Sequence, residues 1–312
     1  MSKAMKRAAK FFNNSVAKGQ KKVKSILKNG GFDGISYANT FAIDTDTAFA
    51  SAPSAITTEV EAGKAKLLGR SATDFPTVDL ATSTSMLQNG NLIGIAIDSN
   101  LHDATTAANA NSDKIVKKTI LAYKKIEELH NSAAWGTDPI LLAGGLLGFF
   151  NHPHIVKSEF VEIDGSTKWE DKTAVQVAKD ITDLIRDYYA MRPEVREAGV
   201  KIQFHLSSSL LDMLTVKMID TKTSVLQHLE ETLPKNRFKV EFKVTNALFY
   251  NGKEYVAIGD FRESSMSYNI PLLTEGLDTV VVSALIRKDF IAESRGLVVE
   301  KANTAIICGG AA

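Results

Sequence analysis

The 312-residue chain has a single cysteine, Cys308, which excludes an intrachain disulfide and any metal site built from several thiolates. It also lacks a long hydrophobic run. The longest apolar stretch, Pro139 to Phe150, is broken by glycine and falls short of the roughly 20 residues that cross a bilayer. No secretory leader is expected, because the basic N-terminus has no apolar block of about 7 to 15 residues, and synthesis in the cytoplasm follows as the default. Acidic residues are missing from the first 32 positions. Nine basic ones stand there: Lys3, Lys6, Arg7, Lys10, Lys18, Lys21, Lys22, Lys24 and Lys28. The remainder of the chain must therefore carry −8 for the total to reach +1. With 44% hydrophobic and 23% charged residues the rest is ordinary globular composition, enough for one large domain or two of common size.

The basic segment has an imperfect apolar side in Phe11, Phe12, Val16, Val23, Ile26 and Leu27, which predicts a helix ended by Asn29, Gly30 and Gly31. Three roles are open to it. It could bind a polyanion, since neutralising phosphates releases condensed counterions; it could bridge to an acidic patch on an adjacent copy; or it could be a solvated tail. Gly34 to Thr58, rich in Ala, Thr and Ser, reads as an extended linker. Leu67 to Asp98 carries a hairpin signal, with Val78 and Leu80 alternating, Asn89-Gly90 as the tight turn, and Ile93, Ile95 and Ile97 on the returning strand.

The longest helical pattern starts at Ser112, a candidate cap. Ile115, Thr119, Ala122, Ile126, Leu129 and Ala133 recur at three- and four-residue steps, and Gly136 ends it. Lysines 117, 118, 124 and 125 fall on the opposite face. Gly144, Gly145 and Gly148 then mix with apolar side chains up to Asn151 and Pro153, a segment suited to close packing followed by a turn. A second helix begins at Thr173, whose spacing to Gln176 makes a capping box, and ends at Pro193. Beyond it strands are expected at 200–206, 238–244, 255–259, 279–286, 296–299 and 304–308, and helices at 208–218 and 224–233. The mixture is α+β.

Catalytic chemistry is hard to assemble from these residues. His152 and His154 form an H-P-H pair without a third ligand, which favours a turn over a metal site. The glycine run lacks the Lys-Ser or Lys-Thr of a phosphate loop and the spacing of a dinucleotide loop. Ser207-Ser208-Ser209 lacks the flanking glycines of a nucleophile elbow and reads as a helix cap. Trp135 and Trp169 read as anchors of helix ends or interfaces rather than as base-stacking platforms. No catalytic, cofactor-binding or metal-ligating residue is assigned.

The run GLLGFFNHPHI (145–155), after a long helix and the AWGTD step at 134–138, resembles a packing signature of the major capsid proteins of tailed bacteriophages. It is most similar to an encapsulin-related coat protein group with the Hong Kong ninety-seven-like shell fold. EAGKAKLLGRSATDFPTVDL (61–80) resembles that family's approach to its extended loop, and VKIQFHLSSSLLDML (200–214) its strand-then-helix step, so the likeness covers roughly 60 to 308. Phe149-Phe150 departs from the leucine usual before the asparagine. The resemblance implies a basic N-terminal arm and linker at 1–60 and an extended-loop hairpin at 61–110. A peripheral domain holding the spine helix follows from 111–192 with 279–312, and an axial domain at 193–278; arm and hairpin would project from the body. It also implies a non-enzymatic coat protein that assembles as pentamers and hexamers in the host cytoplasm into an icosahedral head around double-stranded DNA. Portal, scaffold or decoration proteins would be further partners, and no membrane would be involved. An encapsulin-like compartment, or an α+β enzyme or binding module, is the alternative.

Overall fold

The computed structural model describes residues 3–45, 54–62, 79–88, 91–100, 113–143, 145–163, 165–219, 222–235, 238–282 and 285–310. The expected N-terminal helix forms as α1 (Lys3–Lys28), and Gly30 and Gly31 follow it with φ of 109° and 84°. Its buried side is Ala8, Phe12, Val16 and Val23, with Phe11 and Ile26 half-buried. This face is docked against the body of the protein, so α1 is not the projecting arm expected. Enough apolar surface lines one side for the helix to gain more by packing than by solvation. The expected linker is also structured: α2 (Tyr37–Thr40) and β1 (Ala42–Asp44) lie in it, and Tyr37 and Phe41 are buried.

β2 (Ser54–Ala62) and β3 (Asp79–Gln88) pair antiparallel as a two-stranded ribbon from Ser54↔Gln88 to Ala62↔Asp79, with a register shift between Ile56 and Thr57. β4 (Asn91–Asn100) follows but pairs elsewhere, so the expected hairpin is corrected. The returning strand joins a partner from the far end of the chain, and the ribbon is made one strand earlier; the Asn89-Gly90 step lies outside the described residues. α3 (Lys114–Trp135) is the predicted long helix, and Gly136, left-handed at φ 72°, closes it by donating to the carbonyls of Ala133 and Ser132. Ser112, the expected cap, lies outside the described residues. Asp113 stands at the N-cap without a side-chain capping bond.

After α4 (Pro139–Ala143) and β5 (Val156–Glu159), the second helix appears as α5 (Ala174–Met191). Its Thr173–Gln176 capping box is made in both directions. Pro193 opens α6 (Pro193–Glu197) at its first turn, and Ser207 caps α7 (Ser208–Val216) after β6 (Ile202–Leu206). α8 (Val225–Lys235), β7 (Val240–Val244), β8 (Phe249–Tyr250) and β9 (Lys253–Gly259) complete this part. β10 (Met266–Asn269) and β11 (Leu272–Gly276) were not anticipated from the sequence. The single strand expected at 279–286 is two, β12 (Val280–Val282) and the start of β13 (Leu285–Ser294), which pair with each other. β14 (Gly296–Val299) and β15 (Ala305–Gly309) end the chain's regular structure.

Three hydrophobic clusters organise these elements. In one, α1 and the first two-thirds of α3 pack on a sheet in which β13 pairs along its length with β4 and, on its other edge, with β11 and β12. A central cluster collects Tyr37, Phe41, the last turn of α3, the 146–155 segment and the sheet β1-β10-β14. The third joins α5, α7 and α8 to the six-stranded sheet β5-β15-β9-β6-β7, with β8 beside β9. α5 thus shares its core with residues 202–258, across the expected divide at 192, and β15 pairs with β9 across the divide at 278.

Candidate nucleic-acid and assembly interface

Burying one side of α1 dictates where its charges go. Lys6, Arg7, Lys10, Lys18, Lys21, Lys22, Lys24 and Lys28 are all exposed, and Lys3 lies in the first turn of the same helix. With no carboxylate in α1, this outward face has one sign of charge. α1 approaches α3 closely at Gly19, where an added Cβ would lie 2.6 Å from the Cβ of Thr119. One residue on, Gln20 donates to the Tyr123 hydroxyl at 3.2 Å. Gly19 had no role in the sequence reading, although it stands in line with the buried Ser15 and Val23 at four-residue steps. Between α1, α3 and β11 runs a groove of about 590 Å³ whose lining includes Lys21, Lys24, Tyr123, Glu127 and Glu275.

The segment after α1 is clasped to α3. Asn131 Oδ1 accepts from the backbone N–H groups of Ser36 at 3.0 Å and Tyr37 at 3.1 Å, and Trp135 Nε1 donates to Ser36 Oγ at 3.1 Å. The Tyr37 hydroxyl donates to Glu127 at 2.6 Å. Burial pushes the Glu127 carboxyl above its usual range while the tyrosine bond opposes that, and burial with the nearby carboxylate drives the Tyr37 hydroxyl far up. Deeper in, the Tyr268 hydroxyl is hydrogen-bonded to Ser294 Oγ at 2.6 Å and to His130 Nδ1 at 3.1 Å. Desolvation holds His130 near a pKa of about 4, so it is neutral at pH 7.

The glycine run is a backbone junction. Phe149 N–H donates to Ala134 O at 2.8 Å and Phe150 N–H to Trp135 O at 2.9 Å, satisfying carbonyls that the end of α3 leaves open. Such contact requires Gly148, whose Cβ would fall 2.2 Å from Gly136 N and 2.4 Å from Ala133 O. Asn151 ties the turn by accepting from Gly148 N–H at 2.6 Å and donating to Leu146 O at 3.0 Å. Trp135, the last residue of α3, packs edge to face on Phe149 at 5.3 Å and anchors that helix end, while Trp169 lies buried 5.1 Å from Phe160 in the turn ahead of α5. His152 and His154 sit in a turn with ring centroids 5.4 Å apart. Among the described residues no group of three His, Cys, Asp or Glu side chains could hold a metal, and no helix is long and apolar enough to cross a membrane. The geometry offers a charged helix face and packed junctions between elements.

The profile of the family described as Major capsid protein matches residues 63–252. The chain belongs to the major capsid protein family. Its function is therefore structural, as a subunit of a capsid shell. The backbone of this capsid protein is similar to the capsid of Myoviridae phage XM1, with a TM-score of 0.68 at 14% identity over 89% of this chain and 92% of that one. It is also similar to the capsid of a native GTA particle, with a TM-score of 0.52 at 14% identity over 90% and 91% of the two chains. No curated protein sequence matches it. At these identities the likeness is one of fold, and it bears out the α+β, Hong Kong ninety-seven-like shell architecture expected from the resemblance. The nine basic residues of α1 lie outside the span matched by the family profile.

Proposed function

We propose that this capsid protein is the coat subunit of a tailed-bacteriophage head, assembling in the host cytoplasm as pentamers and hexamers into an icosahedral shell around double-stranded DNA. The family match carries the shell. The nucleic-acid part rests on α1: a helix docked by its apolar side presents basic side chains in a fixed array, which suits sequence-independent contact with phosphates. A packaged genome is a better use of that array than a protein cargo. Portal, scaffold and decoration proteins are the other partners such a head would engage.

Two measurements test this. Negative-stain microscopy of the purified protein is expected to show rings or closed shells; a monodisperse monomer at high concentration in several salts counts against the reading. For DNA, replacing Lys10, Lys18, Lys21 and Lys22 by alanine is expected to lower the slope of log affinity against log salt by about 3 to 4. An unchanged slope removes α1 from the DNA interface. Charge removal is the cleaner variant, because deleting 1–30 would also strip Phe12 and Val16 from a hydrophobic core.

A further inference from the structure

Exposed aliphatic side chains occur singly on any protein and mean little one at a time. Four of them here are held together. Val161, Val175, Val216 and Met218 are 71%, 61%, 76% and 47% exposed, and they come from three segments: the loop after β5, the start of α5, and the end of α7 with the turn beyond it. Two ammonium groups tie those segments to one another. Lys217, between Val216 and Met218, donates to the carbonyls of Trp169, Glu170 and Lys172. Lys172, three residues before Val175, donates to Val161 O at 2.7 Å and is paired with Asp180 at 2.7 Å, both side chains being buried. The turn after Val216 is braced as well, by Ile219 N–H to Thr223 O at 2.9 Å and Val225 N–H to Lys217 O at 3.0 Å.

We infer that this aliphatic patch is a contact surface for a second copy of the chain. The four residues expose on the order of 400 Å², the size of the largest apolar patch on a typical monomer and about half of what each partner of a stable pair buries. Such a patch does not sustain an isolated dimer. It suits a closed shell, where each contact is weak and many act at once, and in a shell the lateral neighbours of a subunit are copies of itself. Because Lys172 and Lys217 already hold the three segments in place, little ordering is lost when a neighbour covers them. The inference rests on the shell reading above and adds which surface is covered.

The native chain supplies a clean background for a thiol test. Cys308 is buried and burial pushes its thiol up to about 12, so a cysteine introduced at the patch is the reactive one. Val175→Cys and Val216→Cys, each in the full chain, are labelled with a maleimide as dissociated subunits and as intact particles. Labelling is expected to be at least roughly tenfold slower in particles at both positions, as for groups reached only through local opening. Equal rates at both positions overturn the inference while leaving the shell intact. Val216→Asp is expected to keep the subunit's melting temperature and lose most particle yield; assembly at the yield of the unmodified chain overturns it too. An unmodified chain that forms no particle instead overturns the shell reading.

Discussion

Gly145 and Gly148 stand three residues apart and answer to different constraints. Gly145 has φ of 82° with no atom near its missing Cβ, so Gly145→Ala is expected to cost about 1 kcal/mol through backbone strain alone. Gly148→Ala drives a methyl into the backbone of Ala133 and Gly136, and the cost should reach about 3 kcal/mol or more. Thermal melts of the two variants side by side check this, and similar losses would mean the junction is looser than its geometry. The buried histidines set a second residue-scale behaviour. Burial lowers His130 and His152 to about 4 and His205 to about 3, with His154 and Lys243 adding to the last two effects. Between about pH 6.5 and 4 the unfolded chain takes up protons that the folded one refuses, so stability falls with pH by up to about 1.4 kcal/mol per unit for each histidine. Above pH 6.5 this loss is absent. Urea midpoints at pH 7 and 4.5 measure the slope, and His130→Asn is expected to reduce it.

At the scale of elements, α1 is the one whose role changed most between sequence and structure. Its apolar residues predicted a helix, and its charge pointed to a tail or an interface. Packing decides that it is also part of a core, beside Ile115, Ile126 and Phe290. Phe12→Ala is therefore expected to lower stability by about 3 to 5 kcal/mol and to speed proteolysis within the first 30 residues; a neutral result would mean that α1 detaches readily. α3 and α5 were legible because their stripes are long and their boundaries carry chemical signals, Gly136 for one and the Thr173–Gln176 box for the other. α2 was not, since four residues of Tyr-Ala-Asn-Thr have too short a period to register. What holds them is Asn131, far along the chain.

For the whole molecule, three clusters along one chain give a body whose outward features include a basic helix face and an aliphatic patch. In the proposed head such surfaces are the working parts. A shell stabilised by many shallow contacts is expected to assemble cooperatively, with particle yield rising steeply over a narrow range of subunit concentration. Light scattering against concentration reads this directly, and a gradual rise through dimers would argue for one dominant strong interface. The sequence alone led toward this scale by two routes. One was the packing signature at 145–155; the other was the lack of any arranged set of catalytic groups.

The sequence by itself determined which residues form the long helices, where those helices stop, and that the N-terminal charges are all of one sign, since each of these is written within a few turns of chain. It also carried the family, through a motif whose Gly148 is there because backbones touch. Only the tertiary structure decided what each face packs against. The alternation of Ile93, Ile95 and Ile97 marks a strand but leaves its partner open, and β4 pairs with β13 rather than β3. The physical reason is that a strand's hydrogen bonds are made to another segment, and the choice of segment depends on which pairing lets all three clusters close at once.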